Sequence, residues 1–186
     1  SSAASDVYKR QVCINSMSDS GLSALRSRLN IPVVGPGQAC FLTAAMLGHR
    51  FSVVTMWDRW KPLYRKVALE LEMQSRLASI ESIDTRPDTE ELLAGKEEVV
   101  FAKLESAARR AIDQHEADVI ILGSTTMHQS AEYLSSALEV PVLNPGLVAL
   151  KYCEMLVQLR LSHSKIAYQP PAALSDEVLA AVPPVF

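Results

Sequence analysis

The chain has no excess of basic charge. Its 18 Lys and Arg stand against 21 Asp and Glu, for a formal charge of −3. A broad cationic surface is therefore missing, which argues against nucleic acid as a partner and equally against acidic lipid surfaces. No apolar run approaches the ~20 residues that span a bilayer as a helix, so no membrane partner is expected. Cysteine is scarce: Cys13, Cys40 and Cys153 are widely spaced and match neither a metal-ligand pattern nor a disulfide framework. They point to a reducing, cytoplasmic setting without a metal site, with Cys40 and Cys153 as buried thiols on helices. No pair of acidic residues stands out for acid–base work. Gly123-Ser124 also lacks the second flanking glycine of a nucleophile elbow. What remains is an ordinary globular composition, 48% hydrophobic and 21% charged, and 186 residues permit one domain or two small ones.

The most ordered stretch runs from Val119 to Gly146. An apolar, β-branched run ends at Leu122-Gly123, turns through Ser124-Thr125-Thr126, continues with helical spacing and closes on Val140-Pro-Val-Leu-Asn-Pro-Gly146. That is a strand–turn–helix unit of a parallel sheet, and it places Ser124 beyond a strand's carboxyl end, where ligands of such sheets bind. An earlier copy runs from Val12 through Ser16 to Ile31-Pro-Val-Val-Gly-Pro-Gly37. The serine-to-Pro-Gly interval, Ser16 to Pro36 against Ser124 to Pro145, differs by a single residue. Two equivalent loops facing one ligand are the reading this repeat favours. Recurrence of ordinary turn punctuation is the other, since Gly and Pro are common turn residues.

Along the rest of the chain, residues 1–11 read as a non-native leader or adaptor scar, or else a natural disordered leader, because they are polar and aperiodic. Val12–Ser16 is expected as a strand, with Asp19 as N-cap of a helix through Leu22, Leu25 and Leu29. Ile31–Val34 is the next strand, followed by a helix from Gln38 to Leu47 that Gly48 ends. Phe51–Met56 reads as a buried strand with Thr55 at its carboxyl end. Lys61–Met73 reads as a helix with Leu63, Val67 and Leu71 on one stripe, and Leu77–Ile83 as a weaker strand. A long helical region follows from about Asp88 to His115, with Gly95 as an interior weak point. The second repeat copy, a helix from Leu147 to Leu159, and a Pro-rich tail with a short helical piece over Ser175–Ala181 complete the chain. Alternating strands and helices make an α/β fold with mainly parallel sheets.

Loops at strand ends present amide groups and a helix N-terminus, which attract carboxylates and other anions. Ser124, Thr125 and Thr126 add three hydroxyls to that geometry, and Ser16 with Ser18 adds two. Helix capping is the other role open to these hydroxyls. His128, four residues beyond Ser124, is placed to lean toward the same site. His49, His115 and His163 fall at helix ends or in the tail.

These segments resemble the aspartate/glutamate/hydantoin racemase superfamily, nearest its hydantoin and allantoin racemase branch. The matching stretches are Asp19-Ser-Gly-Leu22, Ile31-Pro-Val-Val-Gly35, Phe51-Ser-Val-Val-Thr55, Val119-Ile-Ile-Leu-Gly123, Val140-Pro-Val-Leu143 and Leu161-Ser-His-Ser-Lys165 leading to Tyr168. The resemblance implies two pseudo-symmetric, doubly wound α/β domains with a cleft between them, the first incomplete because the family's opening strand with its Asn-Pro-Asn motif has no counterpart. On that basis 12–50 belong to the first domain, 51–143 to the second, 144–171 return to the first, and 172–186 form a tail. It also implies racemisation of a carbon acid next to a carbonyl by two cysteines, without a cofactor. Those two positions correspond to Ser16 and Ser124. Met17, Gln38, Thr55, Thr125, Thr126 and His128 are the candidate contacts for a small carboxylate, amino-acid derivative or hydantoin-like ring. A non-catalytic accessory role of the hydrogenase-expression type and a decarboxylase role stay open beside it, as does assembly into a homo-oligomer.

Overall fold

The computed structural model describes residues 10–85 and 97–172. Residues 1–9 of the expected leader, the first part of the long helical region and the helical piece at 175–181 lie outside the described residues.

The element order is β1 (Val12–Cys13), α1 (Leu22–Arg28), β2 (Val33–Val34), α2 (Pro36–Leu47), β3 (Phe51–Thr55), a 3-10 turn (Asp58–Trp60), α3 (Lys61–Glu70), β4 (Leu77–Ser82), α4 (Glu97–His115), β5 (Val119–Leu122), α5 (His128–Ala137), β6 (Val142–Leu143) and α6 (Pro145–Gln158). All pairing is parallel, in a two-stranded sheet β1-β2 and a four-stranded sheet ordered β4-β3-β5-β6. The α/β class with parallel sheets is thus as the sequence pattern implied.

The four-stranded sheet is covered on both faces, which is why its central strands read as unbroken apolar runs. Val54, Ile120 and Leu122 pack against Leu104, Ala107 and Ala111 of α4 and Leu134 of α5. Their neighbours Phe51, Val53, Val119 and Ile121 point the other way, onto Cys40, Phe41 and Ala44 of α2 and Tyr64 and Val67 of α3. The opposite side of α2 meets the small sheet: Ala39 packs with Val34, Ala149 and Cys153. Helix α2 therefore lies between the two sheets, and few of its residues can be polar.

Several boundaries differ from the sequence reading for identifiable reasons. The first strand stops at Cys13, leaving Ser16 in the loop. Both Pro-Gly pairs open a helix and do not close a turn, with Pro36 and Pro145 in the first turn of α2 and α6; proline's fixed φ and absent N–H suit that position. The buried stripe of α3 is Tyr64, Val67 and Ala68, not Leu63, Val67 and Leu71. Most consequential is Asp19, expected to cap its own helix. Gly21, with φ 77°, holds the N-cap position of α1. Asp19 itself has φ 52° and accepts hydrogen bonds from the amides of Gly37 (2.9 Å) and Gln38 (2.6 Å) at the start of α2.

The reason lies in the repeat. Asn144 caps α6 itself, its Oδ1 accepting from the Leu147 amide at 3.4 Å. Gly35, at the equivalent place before α2, has no side chain to do so. A Cβ there would stand 2.4 Å from Asp19 Oδ1, so glycine makes room for a carboxylate from another loop. Burial pushes the Asp19 carboxyl above its ordinary range, against the pull of the two amides, Arg26 and Lys66.

The segment after α6 returns to α1 and β2. Lys165 Nζ donates to the carbonyls of Arg26, Ser27 and Leu29 at 2.8, 3.2 and 2.6 Å, a side-chain cap of the α1 C-terminus. Arg26, buried, donates to Val33 O, Tyr168 Oη and Gln38 Oε1. His163 Nε2 accepts from the Val33 amide at 2.7 Å.

Two predictions follow from these ties. Asp19→Ala leaves two helix amides without their acceptor and should lower stability by about 2–3 kcal/mol in urea unfolding. His163 must be neutral at Nε2 to accept, and burial, with Arg26 nearby, depresses its pKa. The unfolded chain then protonates first, so stability should be level above pH ~6.5 and fall as pH drops from there toward the folded pKa. Melting temperatures between pH 7.5 and 5 should show this slope, and H163Q should flatten it.

Candidate functional site

Both serine loops open onto one cavity of about 240 Å³. The loop after β1 contributes Asn15, Ser16, Met17 and Ser18, and the loop after β5 contributes Gly123, Ser124 and Thr125. Trp60, Leu63 and Tyr64, from the 3-10 turn and α3, complete the wall. The lining thus combines hydroxyls and a carboxamide with an indole and an aliphatic chain.

Each serine is held within its own loop. Ser16 Oγ lies 2.8 Å from Ser18 Oγ, which lies 2.7 Å from Ser20 Oγ. Ser18 is buried and Ser20 exposed, so the three hydroxyls lead from the cavity to the surface. Lys66 Nζ donates to Ser18 O at 3.3 Å, bringing a cation to the back of this loop. Across the cavity, Ser124 Oγ is 2.9 Å from Thr126 Oγ1 and accepts from the Thr126 amide at 3.3 Å. Among the described residues, neither serine is hydrogen-bonded to a histidine, carboxylate or amine.

Of the residues named from the sequence, Ser16, Met17, Ser18, Ser124 and Thr125 line this cavity. Thr126 is exposed beside it and steadies Ser124. Thr55 is fully buried behind the wall, its Oγ1 2.8 Å from Tyr64 Oη. Gln38 faces a neighbouring cavity of about 340 Å³ that Asp19, Arg26 and Lys66 also line, and accepts from Arg26 Nη2 at 2.6 Å. His128 opens α5 and is exposed, outside the lining. Among the described residues no group of three His, Cys, Asp or Glu could hold a metal ion, and no helix is long and apolar enough to cross a membrane.

Trp60, Leu63, Tyr64 and Asn15 are the lining residues the sequence reading missed. Tyr64 was the most accessible to it, as a polar aromatic among the apolar positions of α3. Its hydroxyl donates to Gly123 O at 2.7 Å, and burial pushes its pKa up to about 12, so it remains a neutral donor. Together Thr55 and Tyr64 fix the residue immediately before Ser124. Gly123 is required there, because a Cβ would stand 2.6 Å from both Thr55 Oγ1 and Tyr64 Oη.

Two βα loops that meet over one cavity, on parallel sheets in this order, define an α/β protein of the racemase fold. The chain belongs to the Asp/Glu/hydantoin racemase family, whose profile matches residues 10–153. It is 33% identical over 153 residues to a hydantoin racemase of Pseudomonas sp. (strain NS671), covering 80% of this chain and 58% of that relative. Allantoin racemase from Klebsiella pneumoniae superimposes with a TM-score of 0.83 at 29% identity, over 92% of this chain and 69% of that one. Unliganded arylmalonate decarboxylase, at 18% identity and a TM-score of 0.60 over 83% of this chain and 70% of that one, shares the fold. The chain spans 58% and 64% of the length of two hydantoin racemases it matches.

The lock on Gly123 is testable. Tyr64→Phe leaves the Gly123 carbonyl without its donor and should cost about 1–3 kcal/mol. Gly123→Ala should cost a similar amount by overpacking. Both are measured by denaturant unfolding.

Proposed function

We propose that the cavity between the Ser16 and Ser124 loops binds a small carboxylate, amino-acid derivative or hydantoin-like ring, and that its chemistry, where it turns over, is cofactor-independent racemisation at a carbon next to a carbonyl. The observation that supports this is the convergence of Ser16 and Ser124 on one hollow in a chain whose relatives include hydantoin and allantoin racemases. In this reading, the ligand's polar end sits among Ser16, Ser124, Thr125 and Asn15, and its substituent lies against Trp60 and Leu63. Met17 closes the floor. The two serines stand on opposite sides of the reacting carbon, as hydrogen-bonding and polarising groups at the acid and base positions.

Acidity sets the limit on rate. A thiol of pKa ~8.5 is a few per cent ionised at neutral pH, whereas an alcohol ionises about five units higher or more. At ~1.4 kcal/mol per unit this gap is about 7 kcal/mol, on the order of 10⁵ in rate. No basic side chain is bonded to either hydroxyl among the described residues, so no directly bonded general base narrows that gap. This favours a second reading, a binding protein on the racemase fold that turns over slowly or not at all.

The two readings separate by proton exchange. The chain is incubated in D₂O with candidate hydantoins and amino acids, and exchange at the α-carbon is followed by NMR. Catalysis by the serines predicts exchange that disappears in Ser16→Ala and in Ser124→Ala. A binding protein predicts ligand-dependent shifts without exchange, and gain of exchange by several orders of magnitude in the Ser16→Cys, Ser124→Cys double variant. Absence of ligand shifts with every candidate, in the wild type and the double variant, overturns the assignment of the cavity.

A further inference from the structure

Cys13 and Cys153 stand far apart in sequence, yet the fold brings both thiols to the backbone of residues 12–14. Cys13 ends β1 and is exposed, whereas Cys153 lies on α6 and is fully buried. Cys153 Sγ donates to Val12 O at 3.7 Å and Cys13 Sγ to Ile14 O at 3.7 Å. The two sulfurs thus lie against carbonyls on either side of Cys13 in the same short piece of chain, near enough that each thiol influences the other's ionisation. The third thiol, Cys40, is fully buried in the separate core between α2, α3 and the large sheet.

We propose that Cys13 and Cys153 are a redox-active pair that closes to an intramolecular disulfide by exchange with a low-molecular-weight disulfide. Exposed Cys13 is the entry point. Its thiolate attacks one sulfur of the small disulfide, forming a mixed disulfide and releasing one small thiolate. The Cys153 thiolate then attacks the Cys13 sulfur and displaces the second. Two protein thiols lose two electrons and two protons, and one small disulfide becomes two small thiols. Burial raises the pKa of both groups, Cys153 to about 11, so the thiolate is rare at neutral pH and the exchange accelerates as pH rises.

The bridge would join structures that flank the cavity. Helix α6 starts against the second serine loop, where a Cβ on Gly146 would touch Thr125 O at 3.8 Å. About 12 Å further along, at 1.5 Å per residue, its Cys153 meets β1, three residues before Ser16. Oxidation would pin this helix to the strand that feeds the first serine loop.

The test equilibrates the full chain at pH 8 over a range of reduced-to-oxidised glutathione ratios, quenches with acid, and alkylates in denaturant before intact-mass analysis and peptide mapping. The expected result is conversion, with rising oxidised glutathione, from a species with three alkyl groups to one with a single alkyl group, on Cys40, and a crosslinked Cys13–Cys153 peptide. Cys40→Ala should retain the crosslink, and Cys153→Ala should stop at a glutathione adduct on Cys13. Three alkyl groups at every ratio, a stable glutathione adduct on Cys13 in the wild type, or a crosslink through Cys40 would each overturn the proposal.

Discussion

One carboxylate joins the first serine loop to the body of the protein. Asp19 leaves the loop after β1, turns through a left-handed conformation and receives two amides at the start of α2. Those amides belong to the helix lying between the two sheets. A helix N-terminus carries partial positive charge and unpaired N–H groups, so the contact satisfies the helix and immobilises the loop together. Without it, the loop that carries Ser16 and Ser18 would lose its direct tie to α2. The second loop achieves the same end differently: Tyr64 and Thr55 grip Gly123 from behind, and Asn144 caps its own helix.

The two halves of the repeat are therefore alike in path and unlike in fastening. Where the second copy relies on a residue adjacent in sequence, the first relies on one sixteen positions upstream, Asp19 for Gly35. The clearance around Gly35 records that difference. Arg26, Lys165 and His163 add a further layer, tying the returning segment after α6 to α1 and β2. Most of these ties end on backbone carbonyls or amides, so they constrain the chain path more than side-chain shape.

Much of this was legible in the sequence because it depends on local pattern. Unbroken apolar runs such as Val119–Leu122 announce a strand buried on both faces, and the paired serines announce two similar loops. Placing those loops at one cavity needed only the rule that parallel sheets bind ligands beyond their strand ends. What was not legible depends on contacts between residues far apart. Thr55 and Gln38 have the chemistry of ligand contacts, but Thr55 is buried against Tyr64 and Gln38 is held by Arg26 at a neighbouring cavity. His128 has the right spacing from Ser124, yet as the first residue of α5 it faces solvent. Asp19 fits the pattern of a local N-cap perfectly well, and only the missing side chain at Gly35 hints that it is needed elsewhere. Trp60 and Leu63 reach the cavity through the placement of α3, which a single helix's periodicity does not encode.

The row of hydroxyls from Ser16 through Ser18 to Ser20 has a consequence of its own. A hydroxyl both gives and receives, so each link in such a row can run in either direction. Rotation of three O–H bonds, with every heavy atom at rest, turns Ser16 from an acceptor facing the hollow into a donor facing it. One wall of the cavity can thus present either an acceptor or a donor without any change of fold.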